Sequence, residues 1–338
     1  MTKFLLFGGT SVDFYAYTKG LEKISISSTS TQQLVCLPFG SKTLIEDLHL
    51  HPGGSAANAS IGLKHLGSNS TIISSIGTDS MGQMLISNLL KNKVDIQYIA
   101  KIKNKKTAMS IILLYPDGEK SLLTYKGAND DLTTTHLPKK SIEQNDVLIF
   151  TSLPSNENFK LFKLAVELAQ INRKKIVFAP SITMISKQLG QLTKMHDKFE
   201  IAIMNAEESE EYTGKKNIVE SIKSLPGKVK VVTDAKNGAY ACYNKQIFHI
   251  PSAKVKIIDT TGAGDSFMAG FSHYYFSKIN TTSKLTETGM IDTITESLKF
   301  ASAVSAIKMQ TEGAHFNKSE TDVKQFLKKH TELRIRKI

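Results

Sequence analysis

A chain of 338 residues, 41% of them hydrophobic, can bury a full core, which excludes disorder as its main state and fits one large α/β domain or two smaller ones. Its formal charge of +12 is scattered through pieces such as residues 101–106, Arg173-Lys174-Lys175 and Arg334-Ile335-Arg336-Lys337 without interleaved aromatics, so it reads as a solvated basic surface drawing anionic nucleotides rather than as a nucleic-acid groove. Two widely separated cysteines, Cys36 and Cys242, give neither a disulfide framework nor metal-ligand spacing, and no run of about 18 apolar residues marks a membrane span, so a soluble cytoplasmic protein is expected.

The first apolar run, Lys3–Phe7, has strand length and is too short for a signal-peptide core. It ends at Gly8-Gly9-Thr10-Ser11-Val12-Asp13, whose glycine spacing is not that of a dinucleotide fingerprint and which leads into no helix. Residues 14–50, polar and β-branched around Ile24-Ser25-Ile26-Ser27, read as antiparallel strands. A Gly-rich strand-to-helix junction follows, His51-Pro52-Gly53-Gly54-Ser55-Ala56-Ala57-Asn58-Ala59, with Ile61, Leu63 and Leu66 on the helix and Gly67 as its stop. Residues 71–76 are strand and 82–90 helix; a second antiparallel hairpin spans 107–125 and turns at Pro116-Asp117-Gly118. Strands at 147–151, 175–179, 201–204 and Val229–Thr233, with a helix at 159–169, continue the βα alternation.

That alternation predicts a mostly parallel sheet covered by helices on both faces. The two antiparallel segments, inserted at about 14–50 and 104–127, pair as a small flap over the carboxyl ends of the main strands, or are ornamental insertions. The last third is helical over 266–277, 291–307 and about 319–328, and Thr311-Glu312-Gly313-Ala314 either edges a nucleotide pocket or only ends a helix. No internal repeat, low-complexity tract or Pro-rich linker divides the chain.

The stretch Asp259-Thr260-Thr261-Gly262-Ala263-Gly264-Asp265-Ser266-Phe267 carries the chemistry. Gly262, Ala263 and Gly264 have almost no side-chain bulk, so their amides can converge on an oxyanion at the positive end of the helix they open. Asp265 would repel a phosphate and therefore suits a base for an incoming hydroxyl, which is kinase chemistry. A capped helix start explains one such motif as well, but two Gly-rich junctions facing one cleft favour a site.

Together the two junctions resemble the signatures of the PfkB carbohydrate kinases, the ribokinase-like superfamily: Gly53 to Gly67 the N-terminal one, Asp259 to Gly270 the C-terminal one. The resemblance spans nearly the whole chain and implies a single kinase domain over 1–338, a three-layer α/β/α sandwich with a small β lid. It implies Asp265 as general base, the amides of Gly262, Ala263 and Gly264 as anion hole, and Asp13, Gly53, Gly54, Asn58 and Asn129 as binders of the acceptor. It further implies ATP on Asn205, Thr233, Gly238, Gly264 and Gly313, Mg2+ organised by Asn205 and Glu208 partly through water, and a potassium-type ion at Asp259 and the carbonyl of Thr261. Asn205 capping a helix with an acidic first turn, and Asp259 capping its own turn, remain open for the last two pairs.

Two positions depart from the family pattern: Asp234-Ala235 where Gly usually stands two residues after Thr233, and Ala179-Pro180-Ser181 in place of Asp-Pro-Asn. Tyr125-Lys126-Gly127-Ala128-Asn129 resembles the Gly-Ala-Asn segment of sugar kinases, so a neutral sugar is the first acceptor expected. A nucleoside is the alternative, its base requiring lid aromatics such as Phe14, Tyr15, Phe39 or Tyr115 that otherwise serve as lid core. A non-catalytic sugar or nucleotide sensor is the third reading, and a homodimer through the lid is an assembly the sequence leaves open.

Overall fold

The computed structural model describes residues 1–18, 22–27, 31–36, 39–40, 42–114, 120–280 and 285–338; Tyr115 and the turn at Pro116-Asp117-Gly118 lie outside them. In chain order the strands are β1 (Lys3–Phe7), β2 (Ser11–Tyr17), β3 (Glu22–Ser27), β4 (Thr31–Cys36), β5 (Asp47–Gly53), β6 (Asn69–Gly77), β7 (Asp95–Ile102), β8 (Met109–Leu114), β9 (Lys120–Tyr125), β10 (Val147–Phe150), β11 (Lys175–Phe178), β12 (Ile201–Asn205), β13 (Val229–Thr233), β14 (Ala239–Tyr243), β15 (Gln246–Ile250) and β16 (Arg336–Lys337). The α-helices are α1 (Ser55–His65), α2 (Ser80–Lys91), α3 (Lys139–Glu143), α4 (Asn156–Ile171), α5 (Ile182–Leu192), α6 (Ala206–Thr213), α7 (Ile218–Ser224), α8 (Ala263–Ile279), α9 (Glu287–Lys308) and α10 (Glu320–Lys329).

The main sheet runs β16-β15-β14-β13-β12-β11-β10-β1-β6-β7. From β13 to β7 every neighbouring pair is parallel, and β14, β15 and β16 extend the other edge antiparallel. Its central strands are buried on both faces, which is why they are near-continuous apolar runs. Alternate residues serve opposite cores: Phe4 and Leu6 pack in one cluster with α1, α8 and α9, whereas Leu5 and Phe7 pack in the other with α4, α5 and α7. Helices therefore cover both faces.

The helix α8 sits close to two neighbours because small residues meet at the contacts: a Cβ on Gly62 of α1 would touch Ala269 at 3.2 Å, and one on Gly270 would press on Val304 of α9 at 3.0 Å. Its Phe271, Tyr275 and Phe276 are fully buried, each contributing about 1.5–3 kcal/mol of apolar burial. That anchoring fixes where the first turn of α8 points.

A second sheet, β5-β2-β8-β9, forms the flap. Its β5–β2 and β8–β9 pairs are antiparallel as expected, but β2 and β8 pair in parallel, because the two inserted segments leave the main sheet in the same direction. Residues alternate across it: Asp13, Tyr15, Ser110 and Ile112 share one face, while Phe14, Leu50, Ile111 and Leu123 form a row on the other. Among the described residues β3 and β4 pair only with each other. The helices expected at 82–90, 159–169, 266–277 and 291–307 are each recovered a few residues longer and the last one, α10, shifted by one residue, whereas α3, α5, α7, β7, the edge hairpin β14–β15 and β16 were not read from the sequence.

Candidate active site

The helix α8 opens at Gly262, whose backbone is left-handed (φ 73°, ψ 4°). A Cβ there would stand 2.0 Å from the carbonyl oxygen of Ala314, so only glycine fits between this turn and the Gly313 turn. Among the described residues no hydrogen bond engages the amides of Gly262 and Gly264, and Gly264 is exposed. The amide of Ala263 instead donates to Thr260 O at 3.2 Å, which leaves two of the three expected amides free for an anion.

Asp265 lies in the first turn of α8. Burial pushes its carboxyl up to about 6; hydrogen bonds from Asn58 and Ser55 and the charge of Lys308 oppose the shift, and the charge of Asp13 adds to it. Asn58 Nδ2 donates to Asp265 Oδ2 at 2.8 Å, while the buried Asn58 Oδ1 has no partner.

The second junction supplies the opposite wall. Gly54 caps α1 at φ 97°, and a Cβ on Gly53 would fall 2.3 Å from Asp13 Oδ2, so the carboxylate of Asp13 rests against bare backbone. Asp13 is buried, and burial raises its carboxyl above the ordinary value, against hydrogen bonds from Ser110 and Ser11. Ser11 Oγ donates to Asp13 Oδ1 at 3.3 Å. Asn129 binds the backbone of Thr10 twice, donating to its carbonyl at 2.9 Å and accepting from its amide at 3.4 Å.

Two adjoining cavities meet at Asp265. One, of 260 Å³, is walled by Asp13, Asn58, Ser110, Ile112 and Asn129 with Thr261 at its end. The other, of 150 Å³, is walled by Ser152, Ser181, Asn205, Glu208, Thr233 and Gly264. Asp265, Ser55 and Ser152 line both. Gly53, Gly238 and Gly313 are not among the residues walling either.

Asn205 and Glu208 form a capping box on α6: Asn205 Oδ1 accepts from the Glu208 amide and Glu208 Oε2 accepts from the Asn205 amide, both at 2.8 Å. The helix-start reading of this pair is therefore present, and it also aims both side chains at the cavity. Burial pushes the Glu208 carboxyl up to about 7, opposed by the Asn205 amide and reinforced by the charges of Asp265 and Glu207. Two carboxylates crowded at one cavity, with an amide oxygen beside them, suit a hard divalent cation that relieves their repulsion.

The departures from the family pattern have local solutions. Ala235 adopts φ 42°, the conformation a glycine would take there without strain, and the Asp234 amide closes the loop on Gly238 O at 2.8 Å. Ala179 leaves the cleft wall without the expected carboxylate, and Ser181, where an amide was expected, caps α5 and pairs with Ser152 at 2.8 Å.

At the expected cation position the arrangement differs. Asp259 Oδ1 accepts from the Thr261 amide at 2.8 Å, and Oδ2 accepts from the Gly313 amide at 3.0 Å and from Tyr15 Oη at 3.2 Å. The ammonium of Lys308, whose side chain is fully buried, donates to Asp259 O at 2.9 Å and lies 3.7 Å from Oδ2. A potassium-type ion there would face an ammonium, so these residues do not fit it.

Sequence reading missed Lys308 and also Lys120, whose Nζ reaches from the flap to Thr260 Oγ1 and Thr261 Oγ1 at 3.2 Å each. It missed His49 and His51 on β5 as well, which bond to Glu312 Oε1 at 2.6 and 3.1 Å and brace the flap against the Gly313 turn. Imidazoles in a strand with a carboxylate far along the chain leave no spacing signal.

A parallel α/β sheet with a β flap, an open helix N-terminus and a carboxylate between two cavities define a phosphotransferase of the ribokinase-like fold. Residues 1–322 match the pfkB family carbohydrate kinases, and the chain belongs to that family of ATP-dependent kinases. It is 28% identical over 277 residues to a ribokinase of Staphylococcus aureus (strain COL), covering 78% of this chain and 83% of the relative. It is 30% identical over 278 residues to a probable fructokinase-2 of Arabidopsis thaliana, covering 78% and 82%. A solved structure of a putative ribokinase II from E. coli, in complex with ATP and Mg+2, superposes with a TM-score of 0.78 at 19% identity, covering 98% of this chain and 100% of that one. Among the described residues no helix is long and apolar enough to cross a membrane.

Proposed function

We propose that the protein transfers the γ-phosphate of ATP to a hydroxymethyl group of a neutral sugar, as the names of its ribokinase and fructokinase relatives suggest. The observation that carries the reading is the position of Asp265 at the junction of the two cavities. The larger cavity takes the acceptor: Asp13 accepts from vicinal hydroxyls, and the unpartnered Oδ1 of Asn58 accepts from another, while Asn129 shapes the wall. The smaller cavity takes the phosphate end of the nucleotide, with Thr233 and Gly264 in its wall and Gly238 supporting the loop behind. Asp265, ionised above about 6, takes the proton of the acceptor hydroxyl. The amides of Gly262 and Gly264 and the start of α8 stabilise charge on the transferring group, with Ala263 holding the turn. Mg2+ held by Glu208 and Asn205, partly through water, would neutralise the triphosphate.

A nucleoside acceptor is the second reading, since Ile112, Leu122 and Pro154 give the acceptor cavity an apolar side. The lid aromatics argue against it. Phe14 packs with Met81 and Ile86 of α2, Tyr15 is buried against Asp259, and Phe39 is fully exposed. The exposed row of Leu50, Ile111 and Leu123 on the outer flap face supports a homodimer through the lid, and the protein works in the cytoplasm.

The test is ADP release across a panel of sugars and nucleosides with ATP and Mg2+. Turnover with a sugar supports the assignment. Turnover with nucleosides alone replaces it by the second reading, and saturable binding without ADP release identifies a sensor.

A further inference from the structure

Lys308 closes α9, and its side chain turns inward instead of into solvent. Its ammonium meets the backbone carbonyl of Asp259 at 2.9 Å and stands 3.7 Å from that residue's carboxylate. The same carboxylate holds the Thr261 amide, the Gly313 amide and the hydroxyl of Tyr15. All of these contacts converge on Asp259, in the loop that leads into the Gly262 turn and α8. A monovalent cation at such a place gathers carbonyl and carboxylate oxygens of two turns so that the intervening amides face one way. A lysine ammonium is a compact single charge with three donors and can do the same while remaining covalently attached.

We propose that Lys308 is a built-in monovalent cation: its ammonium takes the place of a bound potassium-type ion, fixes the 259–262 loop and with it the anion hole, and makes the protein independent of potassium. The inference rests on reading the Gly262 turn as the phosphate site. Lys308 touches neither cavity and is a positioning residue. It acts through Asp259 and the amide of Thr261, two residues away from Asp265's helical turn. Its charge also favours the ionised form of Asp265 from behind.

The experiment compares the wild-type protein with Lys308→Ala, which opens room for an ion, and Lys308→Met, which fills the room without charge. Each is assayed in potassium chloride and in choline chloride at equal ionic strength, by phosphotransfer and by thermal melting. Wild type should change less than about twofold between the salts, whereas Lys308→Ala should lose on the order of a hundredfold in choline and regain much of it in potassium, as expected for a displaced catalytic loop. Lys308→Met should stay impaired in both salts. Potassium should raise the melting temperature of Lys308→Ala and leave that of wild type unchanged.

Potassium activation of wild type, or a folded Lys308→Ala indifferent to potassium, overturns the proposal. If neither variant folds, potassium independence of wild-type melting and turnover still decides. The melting comparison needs no acceptor, so failure to find a sugar substrate leaves it intact and the two ideas fail separately.

Discussion

Asn58 Nδ2 donates to Asp265 Oδ2 across 2.8 Å, tying the first turn of α1 to the first turn of α8. The bond holds the carboxylate with one oxygen committed and favours its ionised form against burial. With a pKa of about 6, kcat/KM should rise with pH through an acid limb near 6 and level off above it. Asn58→Ala removes a bond that lowers the value, so its limb should move to higher pH. A pH–rate profile checks both, and an unmoved limb removes the Asn58 bond from the account.

Asp265→Asn should bind ATP almost normally and lose roughly a hundredfold or more in turnover, the usual cost of losing a general base. It should also melt higher. Because the folded pKa lies above the ordinary 3.8, the native state holds its proton more tightly than the unfolded chain, so the wild-type carboxylate costs stability increasingly from pH 4 to 6 and fully above. The advantage of the Asn variant should therefore grow over that window and then stay constant, which calorimetry at three pH values would show. Near-normal turnover would remove Asp265 from the mechanism.

Asp13→Ala should raise the KM for the acceptor by roughly 10- to 100-fold, the range for hydrogen bonds to a charged group, while leaving that for ATP within a factor of two or so. Initial rates with either substrate varied make the comparison. Equal weakening of both would contradict the division of the cleft into two cavities.

Ala235 sits at φ 42°, where a side chain costs about 1–2 kcal/mol and glycine nothing, although glycine gives back about 0.5–1 kcal/mol of unfolded-chain entropy. Ala235→Gly should thus stabilise by up to about 1 kcal/mol without lowering turnover. A lower melting temperature would mean that the loop's conformation is not strained.

Glu312 is held below its ordinary value chiefly by His49, and His49 is raised chiefly by Glu312. The brace is complete above the usual Glu value of 4.5 and is lost as pH falls through the lowered one; it is complete below the usual His value of 6.5 and is lost as pH rises through the raised one. Protection of the β5 amides, relative to their intrinsic exchange rate at each pH, should be greatest within that window, and Glu312→Gln should flatten the dependence while changing melting little, since the partners are partly exposed.

Much of this was legible in the sequence. Apolar runs buried on both faces gave the parallel strands, and the two Gly-rich junctions gave the residues that meet at 2.8 Å in space, Asn58 and Asp265. The edge hairpin was missed because its turn pair, Asn244-Lys245, lacks the glycine that usually marks such turns, although both residues take positive φ. Lys308 was missed because a lysine near a helix end reads as solvent-facing, yet it continues the buried stripe of Ala301 and Val304 at helical spacing. That periodicity was the available signal. Lys120, by contrast, reaches the α8 loop only through the folding-over of the flap, which no local pattern encodes.

Asp13 rides on the flap sheet, whereas Asp265 is anchored in a helix packed against the main one. With the roles proposed above, any outward swing of the flap would carry the acceptor's carboxylate partner away from the proposed base and admit water between them. An empty enzyme would then have its deprotonating group poorly aimed, and ATP would be spared wasteful hydrolysis until a guest draws the two halves of the cleft together.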